Sequence, residues 1–234
     1  MYKDKKIAAI IPARKGSKGI PNKNVILLNG LPLIAHSIIE AKKSTLMDDV
    51  IVSTDSEHII KIAREYGAYT KGLRPTNLSN DTAILYDVLK YEVENHGLVE
   101  RGFDILVLLQ PTSPLRRSYM IDDALKRFID EQQTSAVAVS EVEEHPILMR
   151  TVNKLGHLDR ILQVDSTVRR QDLPKYYKVN GMIYINYISD IMAGYVSFND
   201  NQSPIIIPKE YNVDIDEISD LEEAEARIRK LFSL

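Results

Sequence analysis

Short apolar runs at Ile7–Ile11, Val50–Ser53, Ile105–Leu109 and Ala136–Val139 are separated by stretches with helical periodicity, and this alternation constrains the fold more than any other feature of the chain. Strands that alternate with helices pack as a mostly parallel sheet covered by helices, so a layered α/β domain is expected. The helices are predicted around Pro32–Lys43, after a cap at Asp55 or Ser56 (Ile59, Ile60 and Ala63 inward, Gly67 as the stop), around Leu85, Val88 and Leu89, and over Ser118–Gln132. Two later strands are read at Met182–Asn186 and Pro204–Ile207. Ser219 to Glu222 reads as a capping box opening a last helix with Leu221, Ala224, Ile228 and Leu231 facing inward. Between about Glu141 and Val179 the alternation stops, over a length beyond an ordinary connection.

The first strand runs into a loop rich in glycine and cations, Pro12 to Asn24, which contains Arg14, Lys15, Gly16, Ser17, Lys18, Gly19 and Lys23. Backbone N–H groups at the end of a strand, together with this charge, suit a polyphosphate. The alternative is a solvated basic turn. Neither the P-loop spacing G-x-x-x-x-G-K-[ST] nor the dinucleotide spacing G-x-G-x-x-G is present, which removes the main support for an ATPase or a dehydrogenase.

The 234 residues carry a net charge of −3, so the basic loop is a local feature and no nucleic-acid-binding face is expected. Zero cysteines exclude disulfides and thiolate metal sites and are compatible with a reducing cytoplasm. No apolar run approaches ~20 residues, so no membrane span or signal peptide is expected. Asp214 and Asp216, two apart, fall on one face of an extended segment and can hold a hard cation, Mg2+ being the natural occupant. A plain acidic strand end is the alternative.

The string I-P-A-R-x-G-S-K-G-I-P-x-K-N resembles the signature loop of the CMP-sialic acid synthetases (acylneuraminate cytidylyltransferases), which activate nonulosonic acids. Leu109 to Arg116 resembles that family's second motif, Arg169 to Pro174 with Asn180 to Ile185 a third, and Asp214-Ile-Asp216 a fourth. The run from Arg169 to Gly181 looks more like the legionaminic-acid branch than the neuraminic one. The resemblance covers about residues 7–217, in the family's order. It implies one domain over residues 1–234 with a three-layer, mostly parallel, Rossmann-like nucleotidyltransferase sheet. It also implies an inserted arm at about 141–179 that packs on a second subunit in a homodimer and exposes Leu148, Met149, Ile161 and Leu162 for that purpose.

The same resemblance implies a Mg2+-dependent transfer of CMP from CTP to the anomeric hydroxyl of a sugar acid, releasing pyrophosphate. Arg14, Lys18, Lys23 and Asp216 are the expected catalytic residues, and Asp214 and Asp216 the metal ligands. Ala13, Arg14, Gly16, Ser17, Lys18, Lys23, Asn24, Arg74 and Thr82 are expected at the nucleotide, where amide, guanidinium and hydroxyl groups can read cytosine and ribose edges. Gln110, Arg169 and Arg170 are expected at the sugar acid, an arginine fork being suited to a carboxylate. Tyr184 reads as core and His145 as structural; no general base is apparent. Two other readings are a cytidylyltransferase for another sugar acid or a phosphonate, and a non-catalytic nucleotide-binding assembly protein. The octulosonic-acid enzymes carry a different opening loop, and a non-catalytic scaffold has no need of the aspartates and lysines that this chain keeps.

Overall fold

The structure, a computed structural model, describes residues 2–17, 19–164, 167, 169 and 172–232. Its centre is a six-stranded sheet. In chain order the elements that build and cover it are β1 (Ile7–Pro12), the hairpin β2 (Leu27–Leu28) and β3 (Leu31–Pro32), α1 (Leu33–Lys43), β4 (Asp49–Ser53), α2 (Glu57–Glu65), α3 (Leu85–Asn95), β5 (Ile105–Leu108), α4 (Ser118–Asp130) and β6 (Ser135–Glu141). Then follow a second hairpin, β7 (Arg150–Val152) and β8 (Leu158–Arg160), the long strand β9 (Tyr177–Tyr187), α5 (Ile188–Ala193), β10 (Ser203–Ile206) and α6 (Ile218–Leu231).

The strand order is β10-β6-β9-β5-β1-β4. All pairings are parallel except those of β9, which runs antiparallel to both β5 and β6. Successive side chains of a strand face opposite sides, and β1 shows why three layers result. Ile7, Ala9 and Ile11 join the cluster formed with α1, α2 and α4, while Ala8 and Ile10 join the one formed with α3 and α5. A third cluster, Ile20, Leu28, Leu33, Leu115, Val213, Ile215, Ala224 and Ile228, attaches α6 to the basic loop and the first hairpin.

The expected α/β class and mostly parallel sheet are present, and several boundaries differ. The last helix begins at Ile218, earlier than the Ser219 cap predicts: Glu217 is its N-cap and Asp220 the reciprocating residue. The strand expected at Met182–Asn186 starts at Tyr177, because Glu141 pairs with Tyr177 and the ladder continues through Lys178 and Val179. The excursion is therefore 142–176, and it contains the β7–β8 hairpin. Leu148, Met149 and Ile161 are exposed on it, and Leu162 is half-buried. Of the two caps considered for α2, Ser56 accepts from Ile59 N–H. Among the described residues no helix is long and apolar enough to cross a membrane.

Candidate active site

Strands β1, β4 and β5 end on the same side of the sheet, where open α/β sheets carry their ligand crevices. A cavity of about 500 Å³ opens there, lined by Pro12, Arg14, Ser17, Gly19, Lys23, Asn24, Gln110, Pro111, Thr112, Asp214 and Asp216. Three segments far apart in the chain thus meet: the basic loop, the residues after β5, and the stretch before α6.

The loop is held by its own backbone and by carboxylates. Ala13, fully buried, extends the β1–β4 ladder by donating to Ser53 O at 2.8 Å, and Asp55 accepts from Lys15 N–H at 2.7 Å. Asn24 is buried and donates its amide to Arg14 O at 2.9 Å, so it shapes the loop as well as facing the cavity. Lys23 reaches across to the segment before α6, with Nζ 2.7 Å from both Ile215 O and Asp216 Oδ1. Gly19 is required where the loop meets that segment: a Cβ there would lie 2.1 Å from Asp216 O. Gly16, by contrast, has open space around it among the described residues.

Asp214 and Asp216 are both exposed and flank buried Ile215, which donates to Thr112 O at 2.9 Å; the extended backbone sends both carboxylates into the cavity although it forms no strand. Asp220 accepts from the N–H groups of Asp216 and Glu217 at 2.8 and 2.7 Å, fixing the aspartate to the start of α6. Asp216 remains 72% exposed beside Lys23, which is 12% exposed. Two hard carboxylates, outside any group of three or more His, Cys, Asp or Glu that could hold a metal among the described residues, suit a cation that keeps positions for water and phosphate oxygens, as Mg2+ does. Asp214 also acts on buried Tyr184, whose hydroxyl is pushed up first by burial and then by that charge. Tyr184 is core, as expected.

Gln110 lines the wall next to β9. Its Oε1 lies so close to Gly181 that any side chain there would collide with it. The side chain with most influence on this wall has no role assigned from sequence. Arg116 is 1% exposed and donates from Nε to Met182 O at 2.6 Å, from Nη1 to Ser37 Oγ at 3.0 Å and from Nη2 to Gln110 O at 2.8 Å. Burial pushes its guanidinium down to about 9, with Glu40 opposing. Its sequence signal is a single cation at the end of the apolar second motif, which does not reveal three acceptors from three separate segments.

Arg14 faces the cavity and pairs with Asp81 at 2.5 Å, a partner that the sequence does not announce. Arg74 is buried and does not line the cavity; it bonds Ser53 and Ser79. Thr82 is exposed and bonds Asn80. Arg169 is exposed on the excursion, while Lys18 and Arg170 lie outside the described residues. His145 bonds Pro174 O and Ile147 N–H within the excursion, and its ring packs edge-on to Tyr176.

A cytidylyltransferase family profile matches residues 8–230. The N-acylneuraminate cytidylyltransferase of Streptococcus agalactiae is 37% identical over 209 residues, covering 88% of this chain and 49% of the relative. The CMP-N,N'-diacetyllegionaminic acid synthase of Legionella pneumophila is 34% identical, covering 90% of this chain and 91% of the relative. The chain belongs to the cytidylyltransferase family, in its CMP-nonulosonic acid synthetase group. It spans about half the length of the N-acylneuraminate relatives that it matches. A solved CMP:2-keto-3-deoxy-manno-octonic acid synthetase, described as complexed with CTP, superposes with a TM-score of 0.71 at 19% identity, over 96% of this chain and 99% of that one, and shares its fold.

Proposed function

We propose that this chain transfers CMP from CTP to the anomeric hydroxyl of a nonulosonic acid, with Mg2+ as cofactor. In the balanced step the hydroxyl oxygen bonds to the α-phosphorus, the bond from that phosphorus to the oxygen bridging to the β-phosphate breaks, pyrophosphate leaves and the hydroxyl proton is released. The observation that carries this reading is one cavity that holds loop cations, paired carboxylates and Gln110 from three distant segments.

Arg14 and Lys23 would neutralise the triphosphate together with Lys18 and the backbone from Gly16 to Gly19, while Ser17 offers a hydroxyl. Asp214 and Asp216 would hold Mg2+, which when bound supplies positive charge to phosphate oxygens. Lys23 fixes one of those carboxylates and is itself held by Ile215 O, so cation and carboxylates arrive in a set arrangement. Asn24 sets the loop path, and Arg74 and Thr82 would serve the nucleoside. Gln110 would meet the sugar, with Arg169 and Arg170 pairing its carboxylate. Strands β6 and β9 bring the excursion to the cavity side of the sheet, which supports its involvement with the sugar acid, and its exposed Leu148, Met149 and Ile161 suit a homodimer contact. The run from Arg169 to Gly181 favours a legionaminic-type acid.

Pyrophosphate release with CTP, Mg2+ and a panel of neuraminic, legionaminic, pseudaminic and octulosonic acids tests the reading. Turnover with one nonulosonic acid is the expected result. Turnover with the octulosonic acid alone, or with no acid, would overturn it in favour of another sugar acid or a non-catalytic scaffold.

A further inference from the structure

Where the basic loop begins, Ser53, whose carbonyl accepts from Ala13 N–H, belongs to a buried polar chain of which only Arg74 has been given a role above. Glu92 on α3 and His96, one turn further on at the helix C-cap, are 3% and 5% exposed. Glu92 Oε2 lies 3.0 Å from His96 Nε2, and Glu92 Oε1 accepts from Ser53 Oγ at 2.6 Å. Ser53 is the last residue of β4, and with its proton given to Glu92 its oxygen accepts from Arg74 Nη1 at 3.1 Å. Arg74 Nε donates to Ser79 Oγ at 3.1 Å, and Arg74 N–H to Thr54 O at 2.7 Å. Tyr69 packs edge-on against His96, and His96 Nδ1 is buried without a hydrogen-bond partner among the described residues.

Burying a carboxylate, an imidazole and a guanidinium is costly unless each is paired. An orphaned ring nitrogen costs a further ~1–3 kcal/mol. A helix–strand contact needs none of this: Leu89 and Val93 on the same helix already pack on the sheet. What the chain of bonds does achieve is orientation. Two of the guanidinium's nitrogens are fixed from one side by Ser53 and Ser79, and among the described residues Nη2 makes no hydrogen bond. Arg74 lies close enough to Asp55 and Arg14, which hold and form the basic loop, to feel the charge of both.

On the reading that Arg74 serves the nucleoside, we infer that Glu92, Ser53 and His96 are positioning residues that hold the Arg74 guanidinium as a fixed donor and so set the preference for cytosine over uracil. The chemistry is specific. Cytosine presents O2 and N3 as acceptors, whereas uracil carries a proton on N3, and a guanidinium can only donate. A donor held in one place rejects the N3–H of uracil; a donor free to swing finds the O2 or O4 of uracil instead. Discrimination then depends on how tightly the arginine is held.

Calorimetric titration of CTP and UTP, each with Mg2+, measures this without any sugar acid. The wild-type protein is expected to prefer CTP, and Glu92→Gln and Ser53→Ala each to lower the CTP-to-UTP affinity ratio by about tenfold. Arg74→Ala is expected to lower it at least as far, and Glu92→Gln added to Arg74→Ala to lower it no further. A purely structural role predicts loss of folded, binding-competent protein with the ratio unchanged, and that result in both Glu92→Gln and Ser53→Ala overturns the inference. If Arg74→Ala shifts the ratio while Glu92→Gln and Ser53→Ala do not, Arg74 reads the base unaided. If Arg74→Ala leaves the ratio unchanged, or the wild type binds both nucleotides equally, the assignment of Arg74 fails and the inference with it; CMP transfer is then judged separately by pyrophosphate release.

Discussion

The cavity wall and the excursion at 142–176 leave the same side of one sheet, and they are built in opposite ways. The wall is tied to distant parts of the chain: Lys23 to Ile215 and Asp216, Arg116 to Ser37, Gln110 and Met182, Gly19 against Asp216. Among its described residues the excursion makes local bonds, Asn153 with Asp159 and His157 and the short β7–β8 ladder, and leaves Leu148, Val152, Leu155 and Leu158 exposed, Leu155 at 80%. Long-range ties fix positions to the precision that phosphate chemistry needs. Exposed apolar side chains on a self-contained hairpin suit contact with another surface.

Four outcomes would sharpen or break that contrast. The largest effect is expected for Asp216→Asn, and equally for Asp214→Asn: pyrophosphate release is lost while circular dichroism stays unchanged, since each carboxylate is exposed and carries charge into the cavity. Normal turnover by Asp216→Asn at saturating Mg2+ would remove the metal from this pair. Next, Lys23→Ala is expected to lower kcat/KM by about a hundredfold or more, because a fixed cation beside developing phosphate charge is worth several kcal/mol. Steady-state kinetics matching the wild type would reduce the loop to a solvated basic turn.

Arg116→Met tests the wall through stability. It leaves the acceptors of Ser37, Gln110 and Met182 without their donor, at an expected cost of about 3 kcal/mol in all, or a fall in Tm of roughly 6–12 °C. A melting curve within a degree of the wild type would show the wall to be held by packing alone. The smallest effect on the fold is expected in the excursion. Replacing Leu148, Met149 and Ile161 together by serine should leave Tm of the sheet domain unchanged and shift the mass seen by light scattering from dimer to monomer, with loss of turnover. Full activity from a wild-type monomer at assay concentration would show that the excursion serves its own subunit or none.

The parallel strands were legible as apolar runs because buried strands need no alternation. β9 was only half legible. Its first residues, Tyr177 and Lys178, are exposed and polar enough to read as loop, and only pairing with Glu141 and Ser140 makes them strand. The hairpin at 27–32 has a readable signal in Asn29 and Gly30, both with positive φ, a pair typical of tight hairpin turns. At the last helix the serine-to-glutamate spacing pointed to the wrong cap, because Asp216 and Ile215 are fixed from afar by Lys23 and Thr112 and bring Glu217 to the helix start first. In the site, residue types and order identified the loop, Gln110 and the aspartates that line the cavity. Pairings between distant segments, such as Arg14 with Asp81 and Arg74 with Ser53, have no local pattern to give them away.

The antiparallel course of β9 has a consequence for how such a chain can diversify. Because Glu141 and Tyr177 are direct partners, the polypeptide leaves the sheet and re-enters it at neighbouring strands, about 5 Å apart. Whatever lies between can lengthen, shorten or be exchanged while both ladders keep their register, and doubling such a loop costs only about 0.6 kcal/mol in closure entropy. Selection can therefore retool the appendage for a new acceptor or a new neighbour while the end of the sheet that carries the basic loop, Gln110 and the aspartates is inherited untouched.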